Sequence, residues 1–231
     1  MVNGVTQVIH YHGTPISPRK ELLKMSGRHF CVSFAHPQDI DVCLDIGQSV
    51  MLDNGAFSAF TKGKELDFNG FCNWCDQHLQ HPHWAVIPDV IDGDENQQRE
   101  LLKKWKFPKQ LSAPVWHLGL SIDWLIELTD NYEKICFGSS GEYWKIGSDS
   151  WHKRMDEAFE ALTSRRRFLP WIHGMRMLGQ SDGKYPLASA DSTNVARNFK
   201  DKNQDPDVMA SRIDSMQPAR KWKKNPQLEL I

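Results

Sequence analysis

The sequence predicts an α/β fold, a compact (β/α)8 TIM barrel in a single domain. Three observations carry this. Short apolar stretches recur eight times along the chain. Amphipathic stretches with helical spacing lie between several of them. No Gly-x-Gly-x-x-Gly follows the first apolar stretch, which counts against the rival, an open doubly wound sheet. The 231 residues are enough for a barrel, slightly short for the type.

In order, the expected strands are residues 6–11, 29–34, 49–52, 84–88, 113–117, 134–137, 168–172 and 185–190. The expected helices are 68–79, 95–105, 122–128 and 151–162. In the first of these, Phe71, Trp74, Cys75 and Leu79 recur at helical spacing. Asp67, Asp94 and Ser121, with Asp123 behind it, stand where helix starts need side-chain acceptors. No repeat or linker divides the chain. Residues 1–200 read as the barrel and 201–231 as a polar C-terminal helix with a basic tail.

Composition narrows the function classes. Hydrophobic residues are 40% and charged residues 25%, which supports a packed core and argues against global disorder. No apolar run reaches the roughly 20 residues of a membrane span, and no secretory signal is visible at the N-terminus. Five cysteines, an odd number, fit reduced thiols in a cytoplasm. The net charge of −1 makes any nucleic-acid face local. The dense basic candidates are Arg165, Arg166 and Arg167, and then Arg220, Lys221, Lys223 and Lys224 around Trp222.

In a barrel the active site lies at the C-terminal strand ends. Those ends carry His12-Gly13-Thr14, Ser33-Phe34, Asp53, Asp89, His117, Gly138 followed by Ser139, Ser140 and Gly141, His173-Gly174, and Asp191. Aspartate is depleted in strands, and buried acids are costly to desolvate without a task. Asp53-Asn54-Gly55 is also good turn chemistry, so that acid has two readings. Paired carboxylates suit displacement at a sugar anomeric carbon, one attacking and one moving protons. The segment "FGSSG" offers backbone N–H groups to a carbonyl or phosphate, or is only a tight turn.

Five motifs in order resemble the tRNA-guanine transglycosylase (queuine tRNA-ribosyltransferase) family: "MLDNGAFSAF", "VIPDVID", "CFGSSGEYW", "WIHGM" and "LASADST". They cover roughly residues 6–200. The family is a (β/α)8 barrel that exchanges guanine for a 7-deazaguanine in a nucleic acid. The resemblance implies Asp191 as the nucleophile on C1′, Asp53 as general acid/base and Asp89 as reader of the guanine edge. It implies Gly138, Ser139, Ser140 and Gly141 as backbone contacts to the base. Phe57, His117, His173, Gly174 and His12 complete the expected substrate surface.

The family's zinc site needs three cysteines and a histidine after the last strands, and nothing after Cys136 is a cysteine. A short chain without that site resembles the phage and bacterial branch that places 7-deazaguanines, such as 7-cyano-7-deazaguanine, in DNA. In "FCNWCDQHLQHPH", Cys72, Cys75, His78 and His81 drift around a helix, and core packing is preferred over zinc. The expected activity is therefore base exchange on DNA, without metal or cofactor, with DNA and a 7-deazaguanine base as partners. Oligomeric state is left open. The alternatives are the same exchange on tRNA, a non-catalytic nucleic-acid-binding barrel, and a small-molecule glycosidase.

Overall fold

The computed structural model describes residues 8–166, 168–201, 203–219 and 222–223. The elements run β1 (Ile9–Gly13), α1 (Arg19–Leu23), β2 (His29–Ser33), α2 (Ile40–Ile46), β3 (Ser49–Asp53), α3 (Ala56–Thr61) and α4 (Phe68–His78). Then come β4 (Trp84–Val86), α5 (Glu95–Lys104), β5 (Ser112–Ala113), β6 (Val115–His117), α6 (Ile122–Asn131) and β7 (Lys134–Gly138). The chain ends with α7 (Asp149–Arg165), β8 (Trp171–Gly174), β9 (Ser189–Ser192), α8 (Asn194–Asn198) and α9 (Pro206–Asp214).

Among the described residues, nine parallel strands form one sheet in the order β5-β4-β3-β2-β1-β9-β8-β7-β6. Its two ends are consecutive pieces of chain, separated by Pro114 alone. Proline has no N–H to give a ladder, so the expected fifth strand is broken in two and the count is nine rather than eight. Ala113 still accepts from the Ile87 N–H at 2.9 Å, and Pro114 from the Cys136 N–H at 2.9 Å. The sheet is thereby drawn into a nearly closed barrel.

Side chains alternate across each strand, so one set points inward. Tyr11, Cys31, Met51, Trp84, Val86, Ala113, Val115 and Cys136 form the inner core. The outward residues of β1 to β4 pack under α1, α2, α4 and α9 through Phe30, Val50, Leu52 and Ala85. Those of β6 to β8 pack under α6 and α7 through Trp116, Phe137 and Ile172. Fully burying a side chain such as Phe71 or Phe159 contributes about 1.5–3 kcal/mol.

Three capped helices, α4, α5 and α6, begin where the sequence predicts, while α7 starts two residues earlier than expected, on Ser148. Asp67 accepts from the Gly70 N–H at 2.9 Å, and Ser121 from the Trp124 N–H at 3.0 Å. Asp94 and Gln97 form a reciprocal capping box. Strand β1 runs two residues past its expected end and β4 stops two short of it, and the last two strands shift along the chain. Residues 168–172 become Trp171–Gly174, because Pro170 cannot donate. Residues 185–190 become Ser189–Ser192, because Tyr185 and Leu187 are buried under α7 instead.

The expected C-terminal helix is α9, and it is docked rather than loose. Asp205 caps it, and Met209, Ala210 and Ile213 enter the outer core. Arg28 clamps it through Asp207 at 2.6 Å and Asp214 at 2.7 Å. No helix among the described residues is long and apolar enough to cross a membrane.

Candidate active site

Inward alternation puts Asp53, His117, Gly138 and Asp191 at the C-terminal rim of β3, β6, β7 and β9. A cleft there is lined by Asp53, Asn54, Phe57, Asp89, Ile91, His117, Gly138, Ser139, Ser140, Met175 and Arg176. Its empty space, counted out into the open mouth, is about 390 Å³.

Asp53 ends β3, and its carboxylate accepts from the Gly55 N–H at 3.2 Å. Gly55 has φ +78°, which glycine adopts without strain. Both readings of this acid hold together: it closes the turn and faces the cleft. Burial pushes its pKa up to about 6, with the charges of Asp191 and Asp89 adding, against hydrogen bonds from Ser33 and Gly55. Such a carboxyl gives and takes a proton near neutral pH.

Asp89 is buried and fully oriented. Asn54 Nδ2 donates to one oxygen at 2.8 Å, and His117 Nε2 lies 2.8 Å from the other. Asn54 also donates to the Ile87 carbonyl and accepts from the Ala56 N–H, tying the β3 loop to the β4 loop. His117 Nδ1 is 3.4 Å from the Ser140 hydroxyl. That is longer than the roughly 2.6–3.2 Å of an activated nucleophile and its base, so Ser140 is a polar wall.

Asp191 adjoins the cleft beside Arg176. Its Oδ1 accepts from the Arg176 backbone N–H at 2.7 Å and lies 3.2 Å from His173 Nε2. His173 is fully buried beneath it, its other ring nitrogen 2.8 Å from the Ser189 hydroxyl. Both of these bonds use Oδ1, which leaves the lone pairs of Oδ2 for another partner. Cys31 and Cys136 lie in the inner core below. Burial, and next the charge of Asp191, holds both thiols well above the ordinary range, which excludes them as nucleophiles.

Of the remaining expected residues, Phe57, Gly138, Ser139 and Ser140 line the cleft. A Cβ on Gly138 would come within 3.0 Å of His117 Nδ1, so glycine lets the imidazole lie flat against β7. The Ser139 hydroxyl accepts from Trp151 and its carbonyl from Arg176, so only its backbone serves the cleft. Gly141 follows as the first residue of a short 3-10 turn near Asp92, outside the lining. Gly174 packs on Leu187 and Met177, away from the cleft.

His12 is a correction. It alternates with the inward Tyr11, so it points outward, where Nε2 meets Asp214 of α9 at 3.0 Å. The placement of Arg165 and Arg166 is a second correction. Arg165 and Arg166 close α7 just before β8, at the N-terminal end of the barrel opposite the cleft. Arg166 is bound there to Asp130 and Thr129. Trp222 packs into the outer core, and Lys223 is exposed. Arg167, Arg220, Lys221 and Lys224 lie outside the described residues.

Sequence reasoning missed Asn54 and Arg176. Asn54 was hidden by its own turn propensity. Arg176 is a lone cation two residues past β8, with φ +57°. Its guanidinium stacks 4.1 Å from the Phe57 ring and donates to the Ser139 carbonyl at 2.9 Å. Cys72 and Cys75 are buried in the outer core. Among the described residues, no three His, Cys, Asp or Glu side chains gather as a metal site. No protein-family profile, curated protein or solved structure matches the chain.

Proposed function

We propose that this protein is a DNA-guanine transglycosylase, which replaces guanine by a 7-deazaguanine through a covalent Asp191–sugar intermediate. The observation that carries the reading is that Asp53 of β3 and Asp89 of the β4 loop line one cleft, while Asp191 of β9 stands beside it, bonded to the lining residue Arg176. One of them, Asp53, is poised to exchange protons near neutral pH. The motif resemblance supplies the reaction and its nucleic-acid substrate.

In the first displacement, Asp191 Oδ2 bonds to C1′ while the C1′–N9 bond breaks. The electron pair leaves with guanine, which takes the Asp53 proton. In the second, the incoming 7-deazaguanine returns a proton to Asp53, and its ring nitrogen displaces Asp191 from C1′. Two displacements keep the sugar configuration. Asp89 keeps a lone pair on each oxygen beyond those facing Asn54 and His117, for the N1–H and 2-amino group of the base. His173 and the Arg176 N–H orient the nucleophile.

The test uses guanine-labelled DNA. The parent should release label when 7-deazaguanine is supplied and form a trappable protein–DNA adduct. Asp191→Ala should lose both. Normal exchange by that variant removes Asp191 from the role. Release from tRNA but not DNA moves the chemistry to the other substrate, and release from neither sinks the reading.

A further inference from the structure

Arg165 and Arg166 lie opposite the cleft, and Arg220, Lys221 and Lys224 lie outside the described residues, so neither cluster places a polynucleotide at the cleft mouth. We infer that a single DNA strand lies instead across the barrel mouth, held mainly by stacking on Trp144 and Phe60, with Lys62, Lys64 and Lys145 beside it. The choice of DNA rests on the exchange reading above. The surface itself rests on the structure.

Trp144 and Phe60 are 71% and 50% exposed, unusual for large apolar side chains. Each belongs to a connection that leaves a cleft-lining strand end. Phe60 is on α3, one turn beyond the cleft residue Phe57, and Trp144 is four residues beyond Ser140. Both therefore sit on connections at the C-terminal end of the barrel, where the cleft opens, one after β3 and one after β7. Neither ring meets another aromatic ring among the described residues. Phe57 differs, because Arg176 already covers its ring.

A guanine delivered to Asp53 and Asp191 must leave its stack, and its neighbours then stop at the mouth. Exposed aromatic faces on both sides are what those bases require, because every base has a π-face. Lys62, Lys64 and Lys145 are exposed on the same two connections, with no ion pair among the described residues. Lys24, Lys106 and Lys184 are paired, but exposed Lys20, Lys104 and Lys153 are also outside any ion pair among the described residues, so position on these two connections, not the lack of a partner, selects the three. Glu65 and Glu142 share the rim, so electrostatics add little and stacking dominates.

The experiment measures binding of a short guanine-containing DNA single strand by fluorescence anisotropy across salt concentrations, and binding of free guanine by calorimetry. Trp144→Ala and Phe60→Ala should each weaken the strand by about 5- to 150-fold and leave guanine affinity unchanged. Both side chains are exposed, so the fold should tolerate the changes. Replacing the three lysines by alanine should flatten the salt dependence. The parent's log–log salt slope should itself be shallow, of magnitude about 2 or less for three phosphates on a single strand. Variants that bind the strand like the parent overturn the surface. So does a parent that binds guanine but no DNA, an outcome that leaves the base site standing. Mouth-dependent DNA binding without any base exchange keeps the surface and sinks the enzymatic reading. Tighter binding of RNA of the same sequence overturns DNA as the occupant.

Discussion

A carboxyl whose pKa rises from 3.8 to about 6 on folding weakens the fold once it ionises. Below about pH 4, Asp53 is protonated in both folded and unfolded chains and contributes nothing. Between about 4 and 6 the unfolded chain ionises first, so stability falls as pH rises. Above about 6 the whole penalty is present, on the order of 3 kcal/mol. Asp53→Asn removes it while keeping an acceptor for the Gly55 N–H. The variant should be more stable at pH 7.5, by up to about 3 kcal/mol, and exchange bases about 10² to 10⁴-fold more slowly. Thermal unfolding and label release check the two halves. A less stable variant would mean that the turn bonds outweigh burial, and that Asp53 serves the turn first. At this scale the acids were legible, because a carboxylate at the end of an apolar run is visible in one dimension. Asn54 was not, since two of its three bonds reach the β4 loop, more than thirty residues away.

Among the elements, the long helices were legible and the short ones were not. The spans α4, α5, α6 and α7 show several apolar repeats, and their starts carry Asp67, Asp94, Ser121 and Ser148 as acceptors. Helices α1, α2, α3 and α8 have five to seven residues. That is too short for a period and far below the length at which a helix stands alone. They exist because the strands beneath them are fixed. Helix direction also decides the fate of Arg166. Because α7 runs back against the strands, its C-terminal arginines land opposite the cleft, and Arg166 fastens α7 to α6 at Asp130 and Thr129. Arg166→Ala should cost about 1–2 kcal/mol in chemical denaturation, discounted for the exposed Asp130, and leave DNA affinity unchanged. A loss of DNA affinity without a loss of stability would restore this cluster as a nucleic-acid contact.

For the whole molecule, acid response is set by opposing groups. Burial, first among the causes in each case, lowers His10 to about 4 and also lowers His29, His83 and His152. From about pH 6.5 downward the unfolded chain binds protons that these folded histidines refuse, so stability falls as pH drops. Asp53 works the other way over about 4 to 6, but it is one group against four. The melting temperature should therefore be lower at pH 5 than at pH 7, and Asp53→Asn should steepen the loss. An unchanged or higher melting temperature at pH 5 contradicts this balance. By itself the sequence determined the parallel α/β barrel class, the long helices with their caps, and the acids at strand ends, because each depends on residues within about ten positions. Only the tertiary structure decided which of those residues meet. Closure around Pro114 brings β4 and β7 together, and with them Asp89, His117 and Ser140. Strand alternation turns Tyr11 inward and His12 outward, a one-residue difference that no local composition reveals. The partners of Asp191 on β8 and of Asp53 on β2 are set by strand order and register, which are properties of the closed sheet rather than of any segment.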